Sequence, residues 1–478
     1  MPTSEDFLLE LLYQRLIVDW ITALSQWRDH FANALEAWNL PLANRLLAEL
    51  VQHDLGDLGR AHLRMGRGGL FFKRDQWPEA RTELEAAECL FAQTDDWVGH
   101  CWVLMTLGNL YSDLGMWDQA FDVYQQTMAL YQAQGDVYGE AQVLVNLGAA
   151  YYTQARWGEA LQAYRRSLDI FLEVEDTLSA AMSLSGLGHV LAALGVYEEA
   201  IECYAASLDI FVEDEDTQAQ VFILNDLGCV FDSAGQPERA LQCFYQSLHL
   251  AQQLGDLHRQ AATLNNLGFT LQGLERHGEA LAVHEQALAI YRTLGDRHGI
   301  SVSLNHLGTV NRGLERFEVA EAYLDEALAL KRELNDLDGL ASVLINLALL
   351  RIGQDRWDEA RLLASEAEEL ARETQSDIRL AHAHTLLGLY SSVKGKDATT
   401  AASYYAQAVI TAWRHHPITG RRINHAILQH LRYLLRLGGT VAARRICEHI
   451  LQTVGEEISA EHPEALFGFE EFSAKIPS

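Results

Sequence analysis

Six asparagines stand in register along this chain of 478 residues. Asn225, Asn265 and Asn305 follow one another at steps of forty, and Asn146, Asn266 and Asn346 occupy the next position of the same period, which Asp226 and His306 share. A primary amide carries two donors and an acceptor, so a ladder of amides can pair with the N–H and C=O groups of an extended chain without selecting its side chains. Helices mildly disfavour asparagine, and six matched occurrences lean against drift. The chemistry on offer is recognition of a backbone.

Residues that could make or break bonds do not assemble in the same way. The sequence contains no GxxxxGK[ST], GxSxG, HExxH or paired CxxC pattern. Gly186 and Gly188 flank Leu187 but lack the third glycine of a dinucleotide loop and fall in a helical stripe. His382 and His384 are two apart and point to different helix faces, while His415 and His416 are adjacent, so neither pair has metal-ligand spacing. We assign no catalytic residue, no metal and no cofactor.

The elements that must carry the amides are written in the other columns of the repeat. Leu107, Leu147, Leu187, Leu227, Leu267, Leu307, Leu347 and Leu387 keep the forty-residue step; the next position reads Gly108, Gly148, Gly188, Gly228, Gly268 and Gly308, then Ala348, then Gly388. A further leucine four positions before the glycine, replaced only by His384, completes an apolar stripe of helical period. Glycine inside a helix costs about 1 kcal/mol relative to alanine. Its return in unit after unit predicts a second helix packed tightly against it. That helix opens at Trp117, Trp157, Tyr197, Phe317 and Trp357 and continues through Ala120, Ala160, Ala200, Ala240, Ala280, Ala320 and Ala360, with Tyr124, Tyr164, Tyr204 and Phe244 one turn on. Asp96, Asp136, Asp176, Asp216, Asp256, Asp296 and Asp336 precede the first helices, where a carboxylate can accept from free backbone N–H groups and meet the positive end of the helix dipole.

This order of leucine, glycine, aromatic and alanine resembles the tetratricopeptide repeat, in which two antiparallel helices form a unit and units stack. The usual unit is about 34 residues; the forty here resemble in style the repeats of kinesin light chains and of LGN/Pins adaptors. The resemblance implies an all-α, right-handed α-solenoid. Units beginning after Asp57, the seven aspartates above and Asp377 would number nine, over residues 58–415, with helical caps at both ends. It also implies that the first helices line a concave groove. Besides the amides, Asp226 and His306, that groove would hold Trp102, Phe222 and Phe269 as apolar anchors and Asp113 and Asp232 as charges, with Arg312 the exception and Gly273, Gly313 and Gly353 as open floor. The face carries few cations, which argues against the carboxylate-clamp type of tetratricopeptide domain.

Residues 1–57 lack the repeat columns but carry amphipathic runs, Phe7 to Leu24 and Leu42 to Leu50, expected to cover the first repeat. The opening has no basic region ahead of an apolar core, so it does not read as a secretory signal. No apolar run approaches the roughly 18 residues of a membrane span. Six scattered cysteines fit a reducing, cytoplasmic setting. The net charge of −30 repels nucleic acid and anionic membranes and favours basic partners.

One stretch reverses that sign. Residues 412–447 hold Arg414, Arg421, Arg422, Arg432, Arg436, Arg444 and Arg445 and no acid. We expect basic capping helices over residues 416–454, offering Arg421, Arg422, Arg432, Arg436, Arg444 and Arg445 to an acidic partner or to the acidic array beside them. The acidic tail, 455–478, holds Phe467, Phe469 and Phe472, either a docking segment, an ordered strip on the last helix or a frayed end. The sum is a non-enzymatic interaction module, an adaptor or regulator, that holds a neutral or basic extended peptide in its groove. The alternative is a sensor or inhibitory subunit controlling an effector, a protease or signalling ATPase, in trans.

Overall fold

The computed structural model describes residues 8–9, 11–13, 15–16, 20–36, 39–53, 56–74, 76–415, 417–458, 460, 462–466 and 468–476. Of the residues named above, the opening hexapeptide, Phe7, His416 and Phe467 lie outside them. Among the described residues all regular structure is helical. Helices α1 (Trp20–Glu36) and α2 (Leu40–Val51) come first. Antiparallel pairs follow: α3 (Gly56–Phe72) with α4 (Trp77–Phe91), α5 (Trp97–Asp113) with α6 (Trp117–Gln134), and α7 (Val137–Thr153) with α8 (Trp157–Glu173); α9 (Thr177–Ala193) and α10 (Tyr197–Glu213) come next in the chain. The series continues as α11 (Thr217–Ser233) with α12 (Pro237–Leu254), α13 (Leu257–Gly273) with α14 (His277–Leu294), α15 (Arg297–Gly313) with α16 (Phe317–Glu333), α17 (Leu337–Gly353) with α18 (Trp357–Glu373), and α19 (Asp377–Val393) with α20 (Ala398–His415). Two helices, α21 (Pro417–Arg436) and α22 (Thr440–Glu457), a 3-10 turn at Pro463–Leu466 and a short α23 (Phe469–Lys475) end the described chain.

The recurring aspartates cap the first helices. In each of Asp96, Asp136, Asp176, Asp216, Asp256, Asp296 and Asp336, Oδ1 accepts the backbone N–H three residues on, at 2.8–3.1 Å. The outer two members of the series differ. Asp57 lies within the first turn of α3, and at α19 the cap position is Ser376, whose side chain makes no capping bond, with Asp377 already helical. The glycine column marks close approach: a Cβ at Gly108 would come within 2.3 Å of the Tyr124 ring, at Gly228 within 2.6 Å of Phe244 and at Gly388 within 2.7 Å of Tyr405. The alanine column is buried beside it, from Ala120 at 0 % exposed to Ala360 at 3 %.

The contacts divide the chain into two compact units, residues 1–190 and 191–478. In the first, α1 and α2 both pack on α3. Trp27 donates from Nε1 to the Leu46 carbonyl at 2.8 Å, and the space over Gly66 is filled by Leu47, Trp27 and Phe31. Arg28 of α1 reaches the cap of α5, its Nη1 donating to Asp96 Oδ1 at 3.2 Å. In the second unit the first helices α11, α13, α15 and α17 each touch the next first helix, up to α19, more extensively than the second helices touch one another, so they line the inner face of the bend. Helix α21 packs on α19 and α22 on α20. Among the described residues of the tail, Phe469 and Phe472 are buried, and the Asn424 amide donates to the Ala465 carbonyl at 2.8 Å. Helix α22 runs to Glu457, past the expected boundary at residue 454.

Candidate functional site

Two amide pairs span consecutive first helices in the second unit. Asn266 Nδ2 on α13 donates to Asn225 Oδ1 on α11 at 3.0 Å, and Asn346 Nδ2 on α17 donates to Asn305 Oδ1 on α15 at 2.9 Å. All four side chains are half-buried. Each pair satisfies one donor and one acceptor internally. By amide valence, each pair keeps hydrogen-bonding capacity beyond the bridge itself.

Asn265 does not belong to that display. It is 5 % exposed, its Nδ2 donates to Ser303 Oγ at 3.0 Å, and its Oδ1 lies 3.1 Å from His284 Nδ1. The reason is His284, which stands where other repeats carry Tyr124, Tyr164 and Phe244 and brings a ring nitrogen that needs a buried partner. The His284 ring stacks on His306 at 4.8 Å between centroids, which turns His306 into a wall packed edge-on against Phe269. Burial, with the neighbouring His306 second, lowers the His284 pKa to about 2; burial lowers that of His306 to about 4.

Around the pairs, Phe269 is 48 % exposed and Phe222 40 % exposed, the latter stacked under the Arg259 guanidinium. Burial lowers the Arg259 pKa, with the charges of Asp256 and then of half-buried Asp226 offsetting part of the fall. Arg312 is desolvated enough that burial lowers its pKa, and its Nε finds no partner. Gly273 has open space above it, as expected, but Gly313 is covered by His277 and Gly353 by Phe317, with ring atoms 3.3 Å from a built Cβ.

Asp232 and Arg422 meet at one cavity of about 560 Å³, walled by Phe269, Thr270, Gln272 and Pro237 with Gly235 and Gly273 in its floor. Burial pushes the Asp232 carboxyl above its usual range, with the Thr270 hydroxyl and the Arg422 charge offsetting part of the rise. The sequence groups Arg422 with the other arginines of a possible second partner surface; in the structure Arg422 is exposed like Arg421, Arg432 and Arg436 and also lines this cavity. Arg421, Arg432 and Arg436 share one exposed stripe of α21, Arg445 is exposed on α22, and Arg444 donates to the Ile476 carbonyl at 3.1 Å.

In the first unit Trp102 and Asn146 line a different cavity, of about 450 Å³, with Met105, Val145, Phe171 and Met182 as apolar walls and Arg28 at the rim. Asn146 Nδ2 makes only a long contact to Met105 Sδ, 3.8 Å. Sequence reasoning missed Arg28, because α1 lies outside the repeat and no column announces what it meets. Asp113 lines a further cavity of this unit, beside Asn109 and Tyr124. Among the described residues no three His, Cys, Asp or Glu gather to hold a metal ion, and no helix is long and apolar enough to cross a membrane.

The model of the tetratricopeptide repeat matches residues 59–133, 100–173, 179–253 and 259–333, together more than half of the chain. The chain belongs to the tetratricopeptide repeat family. A second model, anaphase-promoting complex subunit 5, matches residues 339–392 of this tetratricopeptide repeat protein. No curated protein matches it in sequence. Among solved structures it is similar to the apo form of the quorum sensor NprR from B. thuringiensis, with a TM-score of 0.58 at 17 % identity, over 74 % of this chain and 99 % of that one. The apo form of RapI gives 0.56 at 17 % identity, over 73 % and 97 %. NprR in complex with its cognate peptide NprX gives 0.50 at 17 % identity, over 75 % and 100 %. These are likenesses of an all-α helical solenoid.

Proposed function

We propose that this tetratricopeptide repeat protein is a non-enzymatic interaction module that holds an extended peptide segment of a partner along its first helices. The observation that carries the reading is the pair of bridges, Asn225 with Asn266 and Asn305 with Asn346, each between half-buried amides that keep hydrogen-bonding capacity beyond the bridge. An extended backbone presents N–H and C=O groups in alternation, so it matches such pairs whatever its side chains. Phe222 and Phe269, both partly exposed, supply apolar contacts, and the charge of −30 favours a neutral or basic segment. Six free cysteines suit a reducing, cytoplasmic setting.

Panning a random peptide library against the full chain tests this reading. Peptides enriched on the wild type should lose about tenfold in affinity for an Asn225→Ala/Asn305→Ala variant of unchanged circular dichroism, the worth of one or two neutral hydrogen bonds. Equal affinity for both proteins would refute the role of the pairs.

A second reading is a regulator that answers to a peptide and controls an effector, a protease or signalling ATPase, in trans. The fold likeness to the quorum sensor NprR, also solved with its cognate peptide, favours it. A change in small-angle scattering when a panned peptide is added would support it over a passive adaptor; an unchanged curve would support the adaptor.

A further inference from the structure

Two opposite charges line one cavity without neutralising each other. Asp232 stands near the end of α11, and Arg422 enters from α21, outside the repeats. They are close enough for the Arg422 charge to ease the ionisation of Asp232, yet no ion pair joins them. Beside them lies a buried polar group in want of a partner. Thr270 is 3 % exposed and lines the same cavity; its Oγ1 sits near Asp232 but outside hydrogen-bonding geometry. The floor is open, since a Cβ at Gly235 or Gly273 would meet nothing within 4 Å. One wall is Phe269, 48 % exposed, a flat apolar face in the same lining as both charges.

We propose that this cavity binds a dipolar group, with a cation against Asp232, a carboxylate on Arg422 and the aliphatic stem between them lying on Phe269. The group comes from one residue or two neighbouring residues of the bound segment, so the inference rests on the peptide reading and gives that peptide its charge pattern. The cavity of about 560 Å³ exceeds what a single arginine-sized side chain fills. A guanidinium on α21 suits a carboxylate because its fork offers paired N–H donors. A cation at Asp232 offsets the burial that pushes its carboxyl up, and the Thr270 hydroxyl gains an acceptor in the bound carboxylate or a firmer bond to Asp232. The repeat columns put few cations on this face. Only the helix that follows the array supplies the positive end of the site.

The test uses the full chain and three small probes in saturation-transfer NMR. Nα-acetyl-L-arginine carries both charges, Nα-acetyl-L-argininamide lacks the carboxylate, and N-acetyl-L-norleucine lacks the cation. The first should bind about tenfold more tightly than either of the others, the worth of one charge-assisted hydrogen bond. Arg422→Gln should abolish the preference for acid over amide and leave the preference for the cation. Asp232→Asn should do the reverse. Arg422 is exposed and Asp232 half-buried, so neither change threatens the fold. Absence of transfer to Nα-acetyl-L-arginine, equal binding of all three probes, or preferences untouched by both variants would overturn the proposal. Loss of this preference while panned peptides still discriminate the asparagine variant would remove the charge pattern and spare the peptide reading. Probe binding without any panned peptide would do the opposite.

Discussion

At Gly228 the space for a side chain is already taken. A Cβ there would lie 2.6 Å from the Phe244 ring, so Gly228→Ala should destabilise the second unit by about 1–3 kcal/mol through overpacking. That loss should appear despite the roughly 1 kcal/mol of helix propensity alanine adds. Gly278→Ala, with nothing within 4 Å of its Cβ, is the control and should be neutral or stabilising. Urea unfolding of both variants decides it; a Gly228→Ala chain as stable as the control would show that the glycine column does not mark contact. This level was legible in the sequence wherever a physical demand repeats. The glycines answer a bulky side chain of the second helix, a ring at Gly108, Gly228 and Gly388 and Leu324 at Gly308, the aspartates answer the free N–H groups of a helix start, and both recur because the demand does. Asn265 was misread because its role depends on a single departure, the histidine at 284 in an aromatic column, and one departure leaves no periodic trace.

Among elements, the repeats could be read and their neighbours could not. The forty-residue step located the paired helices, yet nothing in it says that Arg28 of α1 bonds Asp96 or that Arg422 of α21 reaches the cavity of α11 and α13. Those contacts join repeated to unrepeated segments, and only packing reveals them. We regard α1 with α2, and α21 with α22, as caps on the array, since a stacked repeat buries its apolar face only against a neighbour. Helix α20 shows what is at stake: Tyr405, Val409 and Trp413 are at most 1 % exposed, and Trp413 donates from Nε1 to Asn424 on α21 at 3.3 Å. A chain ending at His415 should bare that face, unfold at lower urea and associate with rising concentration in light scattering. A monomer with an unchanged midpoint would remove the capping role.

Taken as a whole, the molecule carries a cost that falls due in acid. Burial is the main cause that lowers the pKa of His62, His306, His382 and His430 to about 4 and that of His284 to about 2, from 6.5. Below pH 6.5 the unfolded chain takes up protons that the folded chain refuses until about pH 4, so protonation draws the equilibrium toward unfolding. Their contribution is fully present above pH 6.5 and declines as the pH falls from there toward 4. Urea midpoints should therefore drop between pH 7 and pH 5, and a His284→Gln variant should drop less steeply. A midpoint that holds or rises over that range would contradict the neutral burial of these rings.

If paired asparagines hold a peptide backbone, blocking single backbone N–H groups must weaken binding. The most direct measurement is the affinity, by fluorescence anisotropy, of one panned peptide and its series of single backbone N-methylated forms, against the wild type and an Asn305→Ala/Asn346→Ala variant. N-methylation at one or two positions should cost about tenfold on the wild type, as the loss of a hydrogen bond at a desolvated site predicts, and should cost little more on the variant, where that bond is already gone. If every N-methylated form binds within about twofold of the parent, or if the same positions cost as much on the variant, the asparagines do not hold the peptide backbone.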